Sequence, residues 1–349
     1  MRKAYIDNLR TTAILLLFPY HVFMIYNNWG ERFYINGRAL LLPSLFVGAS
    51  AIWMMPLLFA LAGISAAYAL QKRNARDFVR ERTAKLLLPL VFGLLLIIPI
   101  QSYLASLCHG IDGANYLRFF SYFGDLTGTD GGFTPGQLWF ILYLFVISLA
   151  FLPLLVLYNK KCKAAWAGKI PLVALVAGGV IPVLTHPLLN IGGKSLCEFA
   201  SYFLLGYYIL SDEAVQEKLE KQRFLLLGIS LLADGISVFL GNMFFEFASW
   251  LSILAIIGLA RRYFNGNSRA YTGLTKLSFG LYVFHQSWIV VCAFFIFKLT
   301  DAPLLQIPLI LSSAVILTFA SVLLCQRFSP LRRMFGIGKL DRKNPAISE

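Results

Sequence analysis

Asp7-Asn8-Leu9-Arg10-TTAILLLFPY-His21 opens the first apolar run of the chain. It places ionisable residues where a bilayer would oppose them. A helix turns about 100° per residue, so the eleven residues from Arg10 bring His21 to within about 20° of the same face. The axial separation is about 16 Å, half the thickness of a hydrocarbon core. Asp7 falls on nearly the same stripe. The spacing predicts a cation at the membrane edge directly below an imidazole near mid-bilayer. Ionisable groups at that depth usually line a functional cavity. The stretch therefore points to a membrane enzyme or transporter with a buried path.

Working outward, the 349 residues are 58% hydrophobic and 14% charged, more apolar surface than a soluble domain needs. Ten candidate spans emerge, at 9–28, 46–70, 86–107, 137–158, 170–190, 197–211, 224–240, 247–264, 278–298 and 303–326. The fold class expected is all-α, a bundle of about ten transmembrane helices. Pro19, Pro56, Pro99, Pro153 and Pro182 interrupt spans, and the carbonyls they free need partners or water, which suits a bundle around a polar cavity. Of 31 Lys and Arg, 26 lie before the first span, at its Arg10 edge, in loops after even-numbered spans, or in the tail. Only Arg32, Arg38, Arg118, Lys194 and Lys298 fall in the other loops. That alternation predicts both termini in the cytoplasm. The +14 charge thus reads as topology information rather than as a nucleic-acid surface. The N-terminus carries a charged start and an apolar run but no small-residue cleavage site, so a retained first span is expected. The organisation expected is a transmembrane domain over 1–326 and a short basic cytoplasmic tail over 327–349.

The five cysteines form no C-x-x-C pair and the four histidines are scattered, so neither a disulfide framework nor a metal cluster is expected. The longest outer loop, from Cys108 to Gly136, mixes Tyr116, Phe119, Phe120, Tyr122 and Phe123 with Asp112, Asp125 and Asp130. It suits either an ordered cap or part of a site for a polyhydroxylated ligand.

His21 is the one histidine well inside a span. Its alternatives are interhelical hydrogen bonding and general-base chemistry. Lys72, Arg73, Arg76, Arg80, Arg82 and Lys85 crowd fourteen residues; this is either a positive-inside signal or an anion site for a phosphate-bearing cosubstrate. Ser278, Tyr282 and His285 share one helix face. Asp234 lies deep in a span and calls for a partner, with Arg10, His21 and His285 as the candidates. His186 and Glu198 lie near outer span ends, and Trp139 reads as an interfacial aromatic or a lining residue.

Together these segments resemble the acyltransferase-3 family of integral membrane acyltransferases. Asp7-Asn-Leu9-Arg10-Thr-Thr-Ala13 running to His21 is similar to that family's D-x-L-R-x-x-A opening with Arg-x10-His. Phe78 to Pro89 resembles its R-x-x-R element before a Leu-Pro span, with Lys85 in place of the second Arg. Leu138-Trp139-Phe140 resembles its L-W-F-L segment, and Ser278 to His285 its S-x-G-x-Y-x-x-H element. The resemblance implies transfer of an acyl group, commonly acetyl, from cytoplasmic acyl-CoA to a hydroxyl of an extracytoplasmic acceptor, often a cell-surface carbohydrate. In that reading His21, Arg10 and Asp7 are catalytic, and Arg82, Lys85 and Arg80 hold the CoA phosphates. Ser278, Tyr282, His285, Asp234, Trp139 and Glu198 are lining candidates. Acyl-CoA is a cosubstrate, with no permanently bound cofactor and no metal. The alternative is a non-enzymatic transporter or glycan exporter using the same stripe.

Overall fold

The structure is a computed structural model describing residues 3–29, 33–124, 126–161, 166–240, 244–266 and 268–338. Arg2, Arg32, Asp125, Cys162 and residues 339–349 of the tail lie outside the described residues.

A helix occupies each apolar run. In chain order they are α1 (Ala4–Met24), α2 (Leu41–Leu70), α3 (Ala75–Cys108), α4 (Gly136–Ala150), α5 (Leu152–Asn159), α6 (Leu172–Thr185) and, after a hairpin of β1 (Asn190–Ile191) and β2 (Lys194–Ser195), α7 (Leu196–Leu210). Then follow α8 (Glu213–Lys221), α9 (Arg223–Leu240), α10 (Phe245–Tyr263), α11 (Arg269–Ile296), α12 (Pro303–Arg327) and α13 (Ser329–Met334). Several starts are written in the sequence. Asn74, Ser195, Asp212 and Ser268 each accept a hydrogen bond from a first-turn N–H, at α3, α7, α8 and α11.

Among the described residues four helices are long and apolar enough to cross a membrane: α2, α3, the Tyr271–Ile296 part of α11, and α12. Helices α4 and α5, bent by 52° at their junction, make a fifth if counted as one broken span. The sequence-based figure of ten crossings is therefore met in part by length and composition. The remaining helices are short, like α6 and α7, or carry charges, like α1 and α10. Leu231, Leu232 and Ile236 on α9, and Leu304, Leu309 and Ile316 on α12, are exposed, as lipid-facing residues would be.

Helix α1 packs between α2 and α11, α2 also meets α7 and α10, and α9 and α12 lie outside against α10 and α11. Helices α2 and α7 approach through two glycines. A Cβ on Gly63 would stand 2.0 Å from the Phe203 carbonyl oxygen, and one on Gly206 would stand 2.2 Å from that of Ala60. Only glycine permits this approach.

The start of α1, the end of α2, the start of α3, α8, the end of α10 and α13 gather at one pole, here the basic pole. There Lys3 pairs with Glu213, and Arg261 bridges Glu213 at 2.5 Å, Glu220 at 2.9 Å and Glu217 at 3.6 Å. The β-hairpin and residues 109–124 and 126–135 gather at the far pole. The latter form an ordered cap: His109 donates from Nδ1 to the Thr129 carbonyl at 2.9 Å, and Arg118 stacks on Tyr122 while donating to the Asp130 carbonyl. Tyr143 ties α4 to the hairpin through the carbonyls of Ile191 and Lys194.

One irregularity shapes the basic pole. Thr83–Leu87 is a π-helical turn within α3. Pro89 has no N–H for the Lys85 carbonyl and its ring crowds that oxygen, so the ladder widens there. Gly336, with φ +62°, packs on Pro89 and on the Lys85 carbonyl. The start of the expected tail is thereby docked onto the bundle, with Phe335 and Ile337 buried.

Candidate functional site

A cavity of about 1100 Å³ opens in the basic pole. Arg10, Arg73, Arg82, Lys85, Lys276, Arg332 and Arg333 line it, against Asp7 and Glu81. Its deep end is Ile14, Phe140, Ile141, Ser278 and Tyr282. A cationic mouth thus narrows to an apolar floor, a shape suited to a ligand with a polyanionic head and a thin tail.

Three elements position the cations. Arg10 projects from α1, donates to Ser65 Oγ on α2 at 2.6 Å, and pairs with Asp7 Oδ1 at 3.3 Å. The i,i+3 spacing allows that pair, and Ser65 fixes the fork's direction. Arg82 lies over the Phe78 ring at 4.7 Å, and its Nε is buried with no hydrogen-bond partner among the described residues. A buried guanidinium N–H lacking a partner is costly and suits an anionic oxygen. Lys85 and Arg73 both pair with Glu81, Lys85 at 2.7 Å. Arg80 is exposed and borders a separate surface hollow with Arg76 and Asp77. Arg73 of the same run, Arg332 and Arg333 take places at the cavity that the motif reading did not give them.

Above the floor stand two imidazoles. His21 of α1 and His285 of α11 have ring centroids 5.1 Å apart, and Phe33 stacks on His21 at 5.9 Å. His285 Nδ1 lies 2.7 Å from the Tyr282 carbonyl oxygen. A carbonyl only accepts, so Nδ1 carries the proton and Nε2 holds the lone pair. His285 Nε2 and His21 Nδ1 are buried without a hydrogen-bond partner among the described residues. Tyr282 links floor to pair: it lines the cavity, its hydroxyl donates to the Gln137 carbonyl, and its own carbonyl orients His285. Ser278 donates to the Thr275 carbonyl at 2.9 Å. The sequence stripe is thus present but divided. Arg10 faces the cavity, while His21 stands about two turns beyond Ile14 against its partner histidine.

Trp139 is half-buried. It packs inward against Phe199 at 5.0 Å and Phe59 at 6.1 Å, with the Lys194 ammonium 5.4 Å from its ring centre. Asp234 finds none of its three expected partners: Ser252 Oγ donates to both carboxylate oxygens at 3.3 Å. Helix α9 packs chiefly against α10, which carries Ser252. Glu198 is buried rather than solvated at an interface, and it meets His186 Nδ1 at 2.8 Å. Glu246, which the sequence reading passed over, meets the same nitrogen at 3.0 Å.

An apolar helical bundle with a cationic cavity and buried imidazoles is the architecture of a membrane protein with a charged pocket. A family model described as an acyltransferase domain matches residues 3–325. The chain belongs to the acyltransferase-3 family, which supports an acyltransferase activity. No curated protein and no solved structure matches it.

Proposed function

We propose that the protein moves an acyl group, acetyl in the simplest case, from cytoplasmic acyl-CoA to a hydroxyl of an extracytoplasmic acceptor such as a cell-surface carbohydrate. The chain would cross the inner membrane ten times with both termini inside, as its Lys/Arg alternation requires. The observation that carries the reading is the cavity itself: cations at the mouth, an apolar floor, and two histidines with unpartnered nitrogens just past Tyr282. Arg10, Arg82 and Lys85 hold the CoA phosphates, with Arg73, Arg332 and Arg333 around them. The pantetheine arm runs over Ile14 and Phe140 towards Tyr282. An imidazole nitrogen of the pair, His21 first, takes the proton of the acceptor hydroxyl as its oxygen attacks the thioester carbonyl. The C–S bond breaks, and the imidazolium returns the proton to the departing CoA sulfur. Asp7 holds Arg10, and Glu198 and Trp139 face the acceptor side.

Reconstitution into sealed vesicles tests this. Acyl-labelled acyl-CoA is supplied on one face and a hydroxyl acceptor on the other. Label appearing on the acceptor supports the proposal. Acceptor that crosses unmodified, with acyl-CoA intact, replaces it with a transporter.

A further inference from the structure

The far pole holds a second cluster of chemistry that the cavity does not use. His186 follows α6, Glu198 lies in the first turn of α7, and Glu246 lies in the first turn of α10. One donor atom from each falls within 4.8 Å of the others. Both glutamates are 6% exposed, whereas the His186 side chain is 45% exposed. A negative charge in the first turn of a helix is ordinary by itself. Two such charges turned inward onto one nitrogen are not, because the helix ends explain each carboxylate separately and not their convergence.

Charge balance sharpens the point. Among the described residues the only side chain paired with either carboxylate is His186, through Nδ1 in both cases. With both carboxyls ionised, one imidazolium leaves a net charge of −1 and a neutral imidazole leaves −2, so the cluster reaches neutrality by holding a further proton or a cation. Buried carboxyls of that kind are protonated, paired or coordinated to a metal, and three donors converging on one point suit the last. A divalent cation at the position of the shared proton would meet all three donors and balance a neutral imidazole with two carboxylates.

The surroundings are built as a support. Ser195 Oγ donates to the Leu188 carbonyl at 2.8 Å and the Thr185 carbonyl at 3.2 Å, clamping the chain on both sides of His186. The same oxygen accepts from the Glu198 N–H. Tyr202 donates to the Glu246 carbonyl at 2.9 Å, fixing the first turn of α10. Metal–ligand bonds of about 2.0–2.2 Å put neighbouring donors about 3 Å apart, the spacing His186 already has from each carboxylate.

We propose that His186, Glu198 and Glu246 form a binding site for a divalent transition-metal cation of the zinc type. One imidazole and two carboxylates are hard enough to exclude copper(I), and the imidazole favours zinc over magnesium. The cation ties α6, α7 and α10 together at the far pole, and the exposed flank of His186 leaves coordination positions open towards solvent.

The test uses the full-length protein in detergent, stripped with a chelator and titrated with Zn²⁺, with bound metal measured by mass spectrometry. The wild type should take up one equivalent, and its apparent Tm should rise with Zn²⁺ concentration. Glu198→Gln and His186→Ala should each weaken uptake by at least about tenfold. Co²⁺ in place of Zn²⁺ should give visible ligand-field bands without the near-ultraviolet band of a thiolate ligand, which needs no variant to interpret. Failure of the wild type to bind stoichiometrically overturns the proposal. So does a thiolate band, or full uptake by the folded Glu198→Gln/Glu246→Gln double variant.

Discussion

The two poles of the molecule collect charge in opposite ways. At the basic pole, seven cations surround an open cavity and share two acids, Asp7 and Glu81, so positive charge is in surplus and accessible. At the far pole, two glutamates share one histidine and are buried, so negative charge is in surplus and confined. An accessible surplus can select a large, exchangeable ligand, because water solvates the cations between visits. A confined surplus cannot wait unsatisfied and holds a small counter-ion, a proton or a metal cation. The poles are therefore suited to different tenants, one passing and one resident.

Substitutions at the two ends should break or sharpen this contrast. His21→Ala, removing the imidazole between the poles, should lower acyl transfer by about 10²–10⁴-fold while the protein still inserts and purifies. Transfer from labelled acyl-CoA measures it, and near wild-type turnover would make His21 a packing residue. Arg82→Ala should weaken acyl-CoA binding by about 1.5–3 kcal/mol, because its buried Nε is the donor most in need of an anion. Isothermal titration with CoA reads this directly; unchanged affinity would move the phosphates elsewhere. Asp7→Asn should cost less activity than Arg10→Ala, and the double variant should be no worse than Arg10→Ala alone, since Asp7 works through the 3.3 Å contact. Additive losses in log turnover would show that the two act separately. Arg80→Ala, outside the cavity, should change CoA affinity by less than about 0.5 kcal/mol. A drop as large as that of Arg82→Ala would mean the whole basic run acts as one field.

What the sequence disclosed follows the reach of its periodicities. The Asp7–Arg10–His21 stripe and the Ser278–Tyr282–His285 face are helical spacings, so which residues share a face could be read before any coordinates, whereas the meeting of His21 with His285 across two helices could not. The Lys72–Lys85 run could be located but not sorted. Which of Arg73, Arg80, Arg82 and Lys85 turn inward depends on the π-turn at Thr83–Leu87, which in turn depends on Pro89. Contacts between remote segments left no pattern to find. Ser65 as Arg10's partner, Arg332 and Arg333 at the cavity mouth, and Ser252 beneath Asp234 are all of this kind. Glu246 had no signal at all in its own neighbourhood, since its significance comes from His186 and Glu198 on other helices.

The paired glycines of α2 and α7 bear on how such a protein could move. Each backbone is seated on the other's carbonyl with no room for even a methyl group. The two helices therefore form a stiff spine: sliding one along the other would drive carbonyl oxygens into Cα atoms. Glu198 on that spine lies at the far pole, and Ser65, holding Arg10, lies at the basic pole. Movement between these two helices is therefore the costliest in the bundle, and breathing that admits a substrate is expected in the helices packed around them rather than along their contact.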